Sequence, residues 1–398
     1  MKAFFFATLL LLGFSVYSSE IDQNLMDSKT TSSGFASFVI PTLPYAETAL
    51  ALAEKPGFRF DFTFGWTTDA QNIVLRNPHL HIENIRWLAD NRDALNLVYV
   101  FNTGDITTGD TDRVWLDSHT AQAHLDRAQI PNGVIPGNHD WANNFANYRK
   151  WFGADRFRTG YWATNNEWYR DSWDDNIGHY AIISAGGVDF VMVHMGTLPH
   201  TNDGEATEDD LIELKARGRW INDIFRRYPN HAGILAMHQY LASGLNSGAA
   251  YRDGRLWVGH WYWENVVIPN QNVFMVLAGH ALGTWNRVIA GSNCLLENDV
   301  SQATVRQTDD RLGNRVVHEI LFNYQGNEEP GGNGDPRRYR QDMWGMIRLM
   351  HFDMEASKIH VRTYSPINNS IVIFDRIDEP QVPRIRDNFV IDFGSVPR

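Results

Sequence analysis

Short apolar runs, each suited to one buried strand, recur along the chain and alternate with helical patterns. Residues 58–64 alternate apolar and polar positions and predict a strand. The apolar runs at 95–101, 234–237 and 273–278 predict buried strands, and the amphipathic spacing of 211–228 predicts a helix. Strands and helices that follow one another in this way are typical of an α/β protein.

Hairpin signals appear in the middle and near the end of the chain. Gly186-Gly187 divides two strand patterns within 180–193, and a polar turn divides 347–364 in the same way. Asn77-Pro78 is suited to the start of a helix, and the Gly- and Pro-rich residues 325–340 predict a long loop. This order predicts stacked sheets flanked by helices in one large domain.

Three of the apolar runs end in turns that carry metal-binding side chain types. These turns are Gly104-Asp105, Gly137-Asn138-His139-Asp140 and Gly279-His280. Asp, Asn and His supply the oxygen and nitrogen ligands suited to Zn, Mn or Fe. Because open α/β folds build their sites at the carboxyl ends of strands, the three turns predict one shared metal site.

The overall charge makes two classes of partner poor candidates. The chain has 398 residues, is 43% apolar and carries a formal net charge of −12. A negative protein is a poor partner for nucleic acid or for an anionic membrane surface, since both select basic proteins. Phosphate esters stay open as substrates, because a bound metal supplies positive charge locally.

The N-terminal residues 1–18 have the layout of a secretory signal peptide, with an apolar stretch and then small residues before Ser19. We expect a secreted or periplasmic mature protein that begins with a leader segment over 19–55. The alternative is a retained N-terminal helix. The apolar stretch is short for a membrane span, and no later segment is long and apolar enough for one. Cys294 is the single cysteine, which excludes an intramolecular disulfide.

The motifs in this order resemble the calcineurin-like metallophosphoesterases. A first motif, Asp69-Ala70-Gln71, precedes the three turns and is similar to that of a secreted branch whose first motif reads Asp-x-Gln. The segments at 323–325, 346–353 and 363–366 also resemble the tail of that branch. The resemblance implies a four-layer α/β/β/α sandwich over 56–375. Residues 376–398 are then a C-terminal tail.

The resemblance also implies a site for two divalent metals bridged by Asp105 and by a hydroxide that attacks phosphorus. Asn138, His238 and His280 would complete one metal position, and Asp69 and Gln71 would serve the other. In the same comparison His139 would protonate the leaving oxygen or stabilise the transition state. Asp140 would orient the neighbouring groups.

The last motif departs from the family pattern. The family usually has Gly-His-x-His, whereas this chain has Gly279-His280-Ala281-Leu282, and leucine cannot bind a metal. We therefore expect one firm metal and a second that is weak, substrate-assisted or absent. Asn102 or Asn286 are candidates to compensate, and Arg287 is a candidate phosphate clamp.

Several assignments have alternatives. His194 also ends an apolar strand and competes with His238, and Asp61 competes with Asp69 if the strand register is shifted. Gln71 has a second interpretation as an amide that stabilises a turn. Other residues are expected to be structural, solvated or packing residues: His79, His81, His119, His124, His351 and the Trp clusters at 151–173 and 257–263.

The function that these residues favour is an exported metal-dependent hydrolase of phosphate mono- or diesters. The alternative is a degenerate relative that binds ligands through aromatic-rich loops, which the residue at 282 motivates. A purple acid phosphatase is poorly supported, because that class needs a tyrosine three residues after the bridging aspartate and this chain has Thr108.

Overall fold

The computed structural model describes residues 59–198, 207–242, 254–281, 283–290, 305–324, 345–367, 369–371 and 388–393. The predicted signal peptide, the leader, the loop at 325–340 and Leu282 lie outside these residues. The predicted C-terminal tail also lies outside the described residues, apart from 388–393. The boundaries proposed for these segments therefore stay predictions.

The α-helices of the described residues are α1 (Gln71–Arg76), α2 (Pro78–Asp90), α3 (Arg92–Leu95), α4 (Asp112–Arg127), α5 (Ala142–Phe152), α6 (Glu208–Arg227) and α7 (Trp257–Tyr262). The strands are β1 (Phe62–Thr67), β2 (Leu97–Asn102), β3 (Asn132–Val134), β4 (Tyr169–Trp173), β5 (Gly178–Ala185), β6 (Val188–Met195), β7 (Ala232–Met237), β8 (Val273–Ala278), β9 (Gly283–Ala290), β10 (Val305–Thr308), β11 (Val316–Asn323), β12 (Ile347–Asp353), β13 (Lys358–Ser365), β14 (Ser370–Ile371) and β15 (Phe389–Asp392).

The strands form two mixed sheets. The first has the order β14-β13-β12-β1-β2-β3, with β15 paired to β13, and the second has the order β10-β9-β11-β8-β7-β6-β5-β4. The strands β1, β2 and β3 run parallel in the first sheet, and β6, β7 and β8 run parallel in the second. Parallel neighbours bring the ends of consecutive strands to the same edge of each sheet.

The two sheets pack face to face around an aromatic core. Phe64 of β1 contacts Phe190 of β6 with ring centroids 5.2 Å apart, and Phe352 of β12 lies 5.8 Å from Phe190. All three rings are buried. Such edge-to-face pairs contribute about 0.5–1.5 kcal/mol each beyond the area they bury. The contacts show that the inner faces of the sheets share one core.

Helices cover the outer faces of both sheets. Ile85 of α2 and Leu125 of α4 share a buried cluster with Val100 of the first sheet. Residues of α6, among them Ile221, pack with Leu235 of the second sheet. The four-layer α/β/β/α order that the sequence predicts is therefore confirmed. The described residues contain no helix with both the length and the apolarity of a membrane span.

Most of the predicted elements are present with small shifts in their bounds. The strand predicted at 58–64 begins later, at Phe62, and all six of its residues are buried because β1 lies between two strands and two layers. The strand predicted from Leu95 begins at Leu97. Leu95 instead ends the short helix α3, since Asn96 adopts a left-handed φ of 42° that stops the helix.

Candidate metal centre

Five of the predicted site residues lie just beyond the carboxyl ends of parallel strands. Asp69 follows β1, Asp105 follows β2 and Asn138 follows β3 in the first sheet. His238 follows β7 and His280 follows β8 in the second sheet. The structure brings all five together, because the facing sheets present these strand ends at one edge.

The backbone is strained at three of these positions. Asp69, Asp105 and His280 have φ values of 49°, 52° and 68°. Non-glycine residues adopt this left-handed region rarely, and each instance costs about 1–3 kcal/mol. Such strain is concentrated at functional sites because the surrounding structure must hold a side chain in one direction. Asp105 and His280 each contribute a ligand atom to one cluster, and the Asp69 carboxylate accepts a hydrogen bond from the backbone N–H of His280.

Four side chains converge on one side of the site. The Nε2 atom of His238 lies 2.9 Å from Oδ1 of Asn138 and 3.3 Å from Oδ1 of Asp105. The Nδ1 atom of His280 lies 2.8 Å from the same Asn138 oxygen. One ligand atom from each of Asp105, His238 and His280 lies within 4.8 Å of the other two. These are the four groups predicted for the complete metal position.

The chemistry of this cluster fits a cation. The carbonyl of Thr103 accepts a hydrogen bond of 2.8 Å from Nδ1 of His238, so in the neutral form of the ring, which is the form that binds a cation, the Nε2 lone pair faces two oxygens. Both oxygens, on Asp105 and Asn138, are acceptors. Lone pairs that converge repel one another unless a cation or a proton lies between them. Two oxygens and two imidazole nitrogens suit Zn, Mn or Fe.

The charges of Asp105 and His238 stabilise each other. Burial alone would lower the pKa of His238, but the charge of Asp105 and its hydrogen bond, with Asp69 and the Thr103 carbonyl, raise that pKa to about 9. Burial alone would raise the pKa of Asp105, but the charge and hydrogen bond of His238, with His139 and His280, lower it to about 2. Asp105 is therefore a carboxylate that is compensated by positive charge.

Asp69 and Gln71 lie on the other side of Asp105. The amide Nε2 of Gln71 donates a 2.9 Å hydrogen bond to Oδ2 of Asp105. The Asp69 carboxylate accepts hydrogen bonds from the Thr68 hydroxyl, at 2.6 Å, and from the backbone N–H of His280, at 3.1 Å. The Asp69 and Asp105 oxygens on this side therefore already accept hydrogen bonds.

One acceptor on this side has no partner. The Gln71 side chain is fully buried, and its Oε1 atom accepts no hydrogen bond from any residue that the structure describes. Burial, together with the charge of Asp105, raises the pKa of Asp69 to about 7, against the lowering effects of His238, Thr68 and His280. The buried Gln71 oxygen and the destabilised Asp69 carboxylate both favour a cation at this position. These two side chains are the ones that this side adds to Asp105.

The Asp140 side chain forms hydrogen bonds to the backbone of the turns after β2 and β3, and it does not face the cluster. Its carboxylate accepts hydrogen bonds from the backbone N–H groups of Ile106 and Thr107, both at 3.0 Å, and of Gly137, at 2.8 Å. Burial and the Asp105 charge raise the pKa of Asp140 to about 7, although these three donors oppose the shift. Asp140 thus ties the turn after β2 to the turn after β3.

His139 is the exposed member of the site. Its side chain is 43% exposed, whereas the side chains of Asp105 and His238 are almost fully buried. The His139 backbone N–H donates to Oδ1 of Asp105 at 2.9 Å. Its ring Nε2 lies 4.0 Å from Oδ2 of Asp105, and its Nδ1 lies 3.3 Å from the Thr108 hydroxyl. The ring therefore stands between the cluster and solvent.

The structure also places the alternative residues. His194 bonds to the Tyr99 hydroxyl at 2.9 Å and stacks on His179 in the core between the sheets, so it is not part of the cluster. Asp61 accepts the backbone N–H of Met354 and precedes β1, away from the strand end that carries Asp69. The positions proposed for His238 and Asp69 are thus the ones that meet.

Asn102 is not positioned to act as a ligand. Its Oδ1 accepts the backbone N–H of Gly104 at 3.0 Å, and its amide donates to the Thr67 hydroxyl. It therefore braces the turn that carries Asp105. The side chains of Asn286 and Arg287 and the whole of Leu282 lie outside the residues whose placement is described.

Some supporting residues escape prediction from the sequence. The Thr68 hydroxyl bonds to Asp69, the Thr103 carbonyl to His238, the Thr108 hydroxyl to His139, and the Asn323 amide to the His280 carbonyl at 2.9 Å. The threonines share one weak signal, which is that each lies within a few residues of a strand end and next to a predicted motif.

No family model matches this chain. It is 33% identical over 319 residues to the uncharacterized protein YvnB of Bacillus subtilis, a match that covers 79% of this chain and 20% of that protein. The chain thus spans about a fifth of the length of that relative.

Solved structures show distant likeness. A dimetal phosphatase from Danio rerio has a TM-score of 0.45 at 12% identity over 84% of this chain and all of that chain. Purple acid phosphatase PPD1 from yellow lupin (Lupinus luteus) has a TM-score of 0.42 at 12% identity, over 85% of this chain and 55% of that chain. The layer order described above rests on the sheets and helices of this chain itself.

Proposed function

We propose that this chain is a calcineurin-like metallophosphoesterase that hydrolyses phosphate mono- or diesters. The observation that carries the proposal is the convergence of Asp105, Asn138, His238 and His280 beside the exposed ring of His139. These are the groups that the motifs resembling this family supply, and they follow strands β2 and β3 of the first sheet and β7 and β8 of the second. The substrate in this proposal is a phosphate ester, and the negative chain disfavours nucleic acid.

Asp105, Asn138, His238 and His280 would hold a divalent metal such as Mn, Zn or Fe. When bound, such a metal supplies positive charge for the phosphate oxygens and makes water acidic enough to attack at neutral pH. Asn138 contributes a neutral oxygen, which leaves more of the metal charge for the substrate. The Thr103 carbonyl fixes the ring of His238 so that Nε2 faces the site.

The remaining residues act on the substrate or on the loops. His139 is the group best exposed to an arriving ester, and its Nε2 faces the site. The Asp140 carboxylate keeps the Asp105 and Asn138 turns at a fixed separation through its three backbone hydrogen bonds. These roles make His139 a catalytic residue and Asp140 a positioning residue in the proposal.

The second metal position is proposed to be the weaker one. Asp69 and Gln71 are its side chains, and the Asp69 and Asp105 oxygens on this side already accept hydrogen bonds from His280, Thr68 and Gln71. A cation has to compete with these bonds. The same observation favours an alternative function, a degenerate relative that binds ligands without cleaving them. A secreted or periplasmic location, after loss of 1–18, also belongs to the proposal.

The test is hydrolysis of para-nitrophenyl phosphate and bis(para-nitrophenyl) phosphate by chelated protein, before and after addition of Mn or Zn. We expect metal-dependent turnover that is lost in Asn138→Ala and kept in Asn165→Ala, an exposed asparagine that bonds to Gln129 away from the site. Absence of turnover with either metal would favour the binding protein. Equal turnover in both variants would refute the assigned site.

A further inference from the structure

The exposed ring of His139 is held by a neutral hydroxyl group. Its Nδ1 atom lies 3.3 Å from Oγ1 of Thr108, and its Nε2 lies 4.0 Å from Oδ2 of Asp105. No other hydrogen bond of the Thr108 hydroxyl is found in the described part of the chain. The hydroxyl hydrogen is therefore available to the ring.

The type of partner decides which ring nitrogen carries the proton of a neutral histidine. His238 shows one outcome, because the Thr103 carbonyl can only accept and so fixes the proton on Nδ1. A hydroxyl can also donate, and a donor facing Nδ1 leaves the proton on Nε2.

We propose that Thr108 is a positioning residue that donates its hydroxyl hydrogen to Nδ1 of His139 and so keeps an N–H on Nε2, facing the substrate. In this state neutral His139 presents a hydrogen-bond donor to the phosphate ester. The ring gives up no proton, so its role is to stabilise negative charge that develops on an ester oxygen. This inference rests on the proposed phosphoesterase function.

The first experiment measures the tautomer and needs no activity. Nitrogen chemical shifts of the full chain labelled in histidine, assigned with His139→Ala, report which ring nitrogen is protonated. We expect Nε2 to carry the proton in the wild type and in Thr108→Ser, which keeps the hydroxyl. We expect a mixture of tautomers in Thr108→Val. An Nδ1 proton in the wild type, or an unchanged tautomer in Thr108→Val, would overturn the proposal.

The second experiment measures turnover of para-nitrophenyl phosphate. Thr108→Val should lower kcat about tenfold with little change in KM, the size expected for one lost hydrogen bond at a reacting group. Thr108→Ser should restore most of kcat, and Thr108→Val should have no further effect in His139→Ala. A purely structural role would instead change KM, metal content and folding together.

Thr107→Val is the matched control. The Thr107 hydroxyl is buried and bonds to no described residue, so its loss should leave the His139 tautomer unchanged. If the wild type hydrolyses no ester, the proposed function fails while the tautomer measurement still tests Thr108. If the wild type is active and Thr108→Val matches it in kcat and tautomer, the function stands and the inference is wrong.

Discussion

The absence of a side chain at Gly137 is what allows the turn after β3 to lie against Asp105. A Cβ atom there would lie 2.1 Å from Oδ1 of Asp105 and 2.4 Å from its backbone nitrogen. The φ of Gly137 is −99°, which any residue can adopt, so Gly137→Ala tests this steric contact alone. The clash involves a backbone atom, which cannot rotate away as the end of a flexible side chain can.

The size of the effect follows from the overlap. Real Cβ contacts essentially never fall below 3.0 Å, so the two turns must separate by about 1 Å. We expect Gly137→Ala to lower the free energy of unfolding by about 1–3 kcal/mol, the usual cost of overpacking. A shift of about 1 Å at the ligands should weaken metal binding and turnover by roughly 100-fold.

The assay compares Gly137→Ala with Gly187→Ala by urea unfolding and by metal titration. Gly187 lies in the β5–β6 turn with a φ of 78°, and no atom of a described residue lies within 4 Å of a Cβ built there. Its replacement should cost about 1–2 kcal/mol from backbone strain and leave metal binding unchanged. Wild-type metal affinity in Gly137→Ala would refute the close approach of the two turns.

Two further predictions concern stability. Burial lowers the pKa of His179 from 6.5 to about 3, and neither ring nitrogen has a partner among the described residues. The neutral ring therefore favours the folded state above pH 6.5, and this stability is lost as the pH falls from 6.5 towards 3. His179→Phe should stabilise the protein by about 1 kcal/mol at pH 7 and reduce the pH slope of the unfolding free energy below pH 6.5 by up to about 1.4 kcal/mol per pH unit. An unchanged slope in urea unfolding would contradict this. Separately, chelation should lower the melting temperature of the wild type but not of Asp105→Ala, measured by calorimetry with and without added Zn. An equal shift in both would contradict the site.

Much of the fold can be predicted from the sequence, because the spacing of apolar residues within a short segment indicates whether that segment forms a buried strand or a helix. The apolar run that ends at Ala278 forms β8, and Gly186-Gly187 forms the turn of a hairpin. The ends of helices and strands are less predictable, since each end depends on the backbone conformation of a single residue. The left-handed Asn96 ends α3 and moves the start of β2 to Leu97, and no apolar period announces such a residue.

Some of the site residues can likewise be predicted from the sequence, and others cannot. The motifs identify Asp105 and Asn138, because short strands that end in metal-binding residues form a recurring pattern. The register of the sheet explains why His238, and not the competing His194, joins the cluster. His194 pairs with Ala236, two residues before His238 on the next strand, so its ring lies back in the core. The supporting threonines, Thr103 among them, carry only the weak signal of lying near strand ends and motifs, and that signal does not say which group each one contacts.

The most direct test of the account is the number of metal ions that the purified chain binds. Equilibrium dialysis against Zn or Mn, followed by elemental analysis, should find one tightly bound ion per chain in the wild type and a second that is weaker. His280→Ala should lose the tight ion, because the four-ligand cluster then has three members. Retention of the tight ion in His280→Ala, or no bound ion in the wild type, would contradict the claim that these four residues form a metal centre.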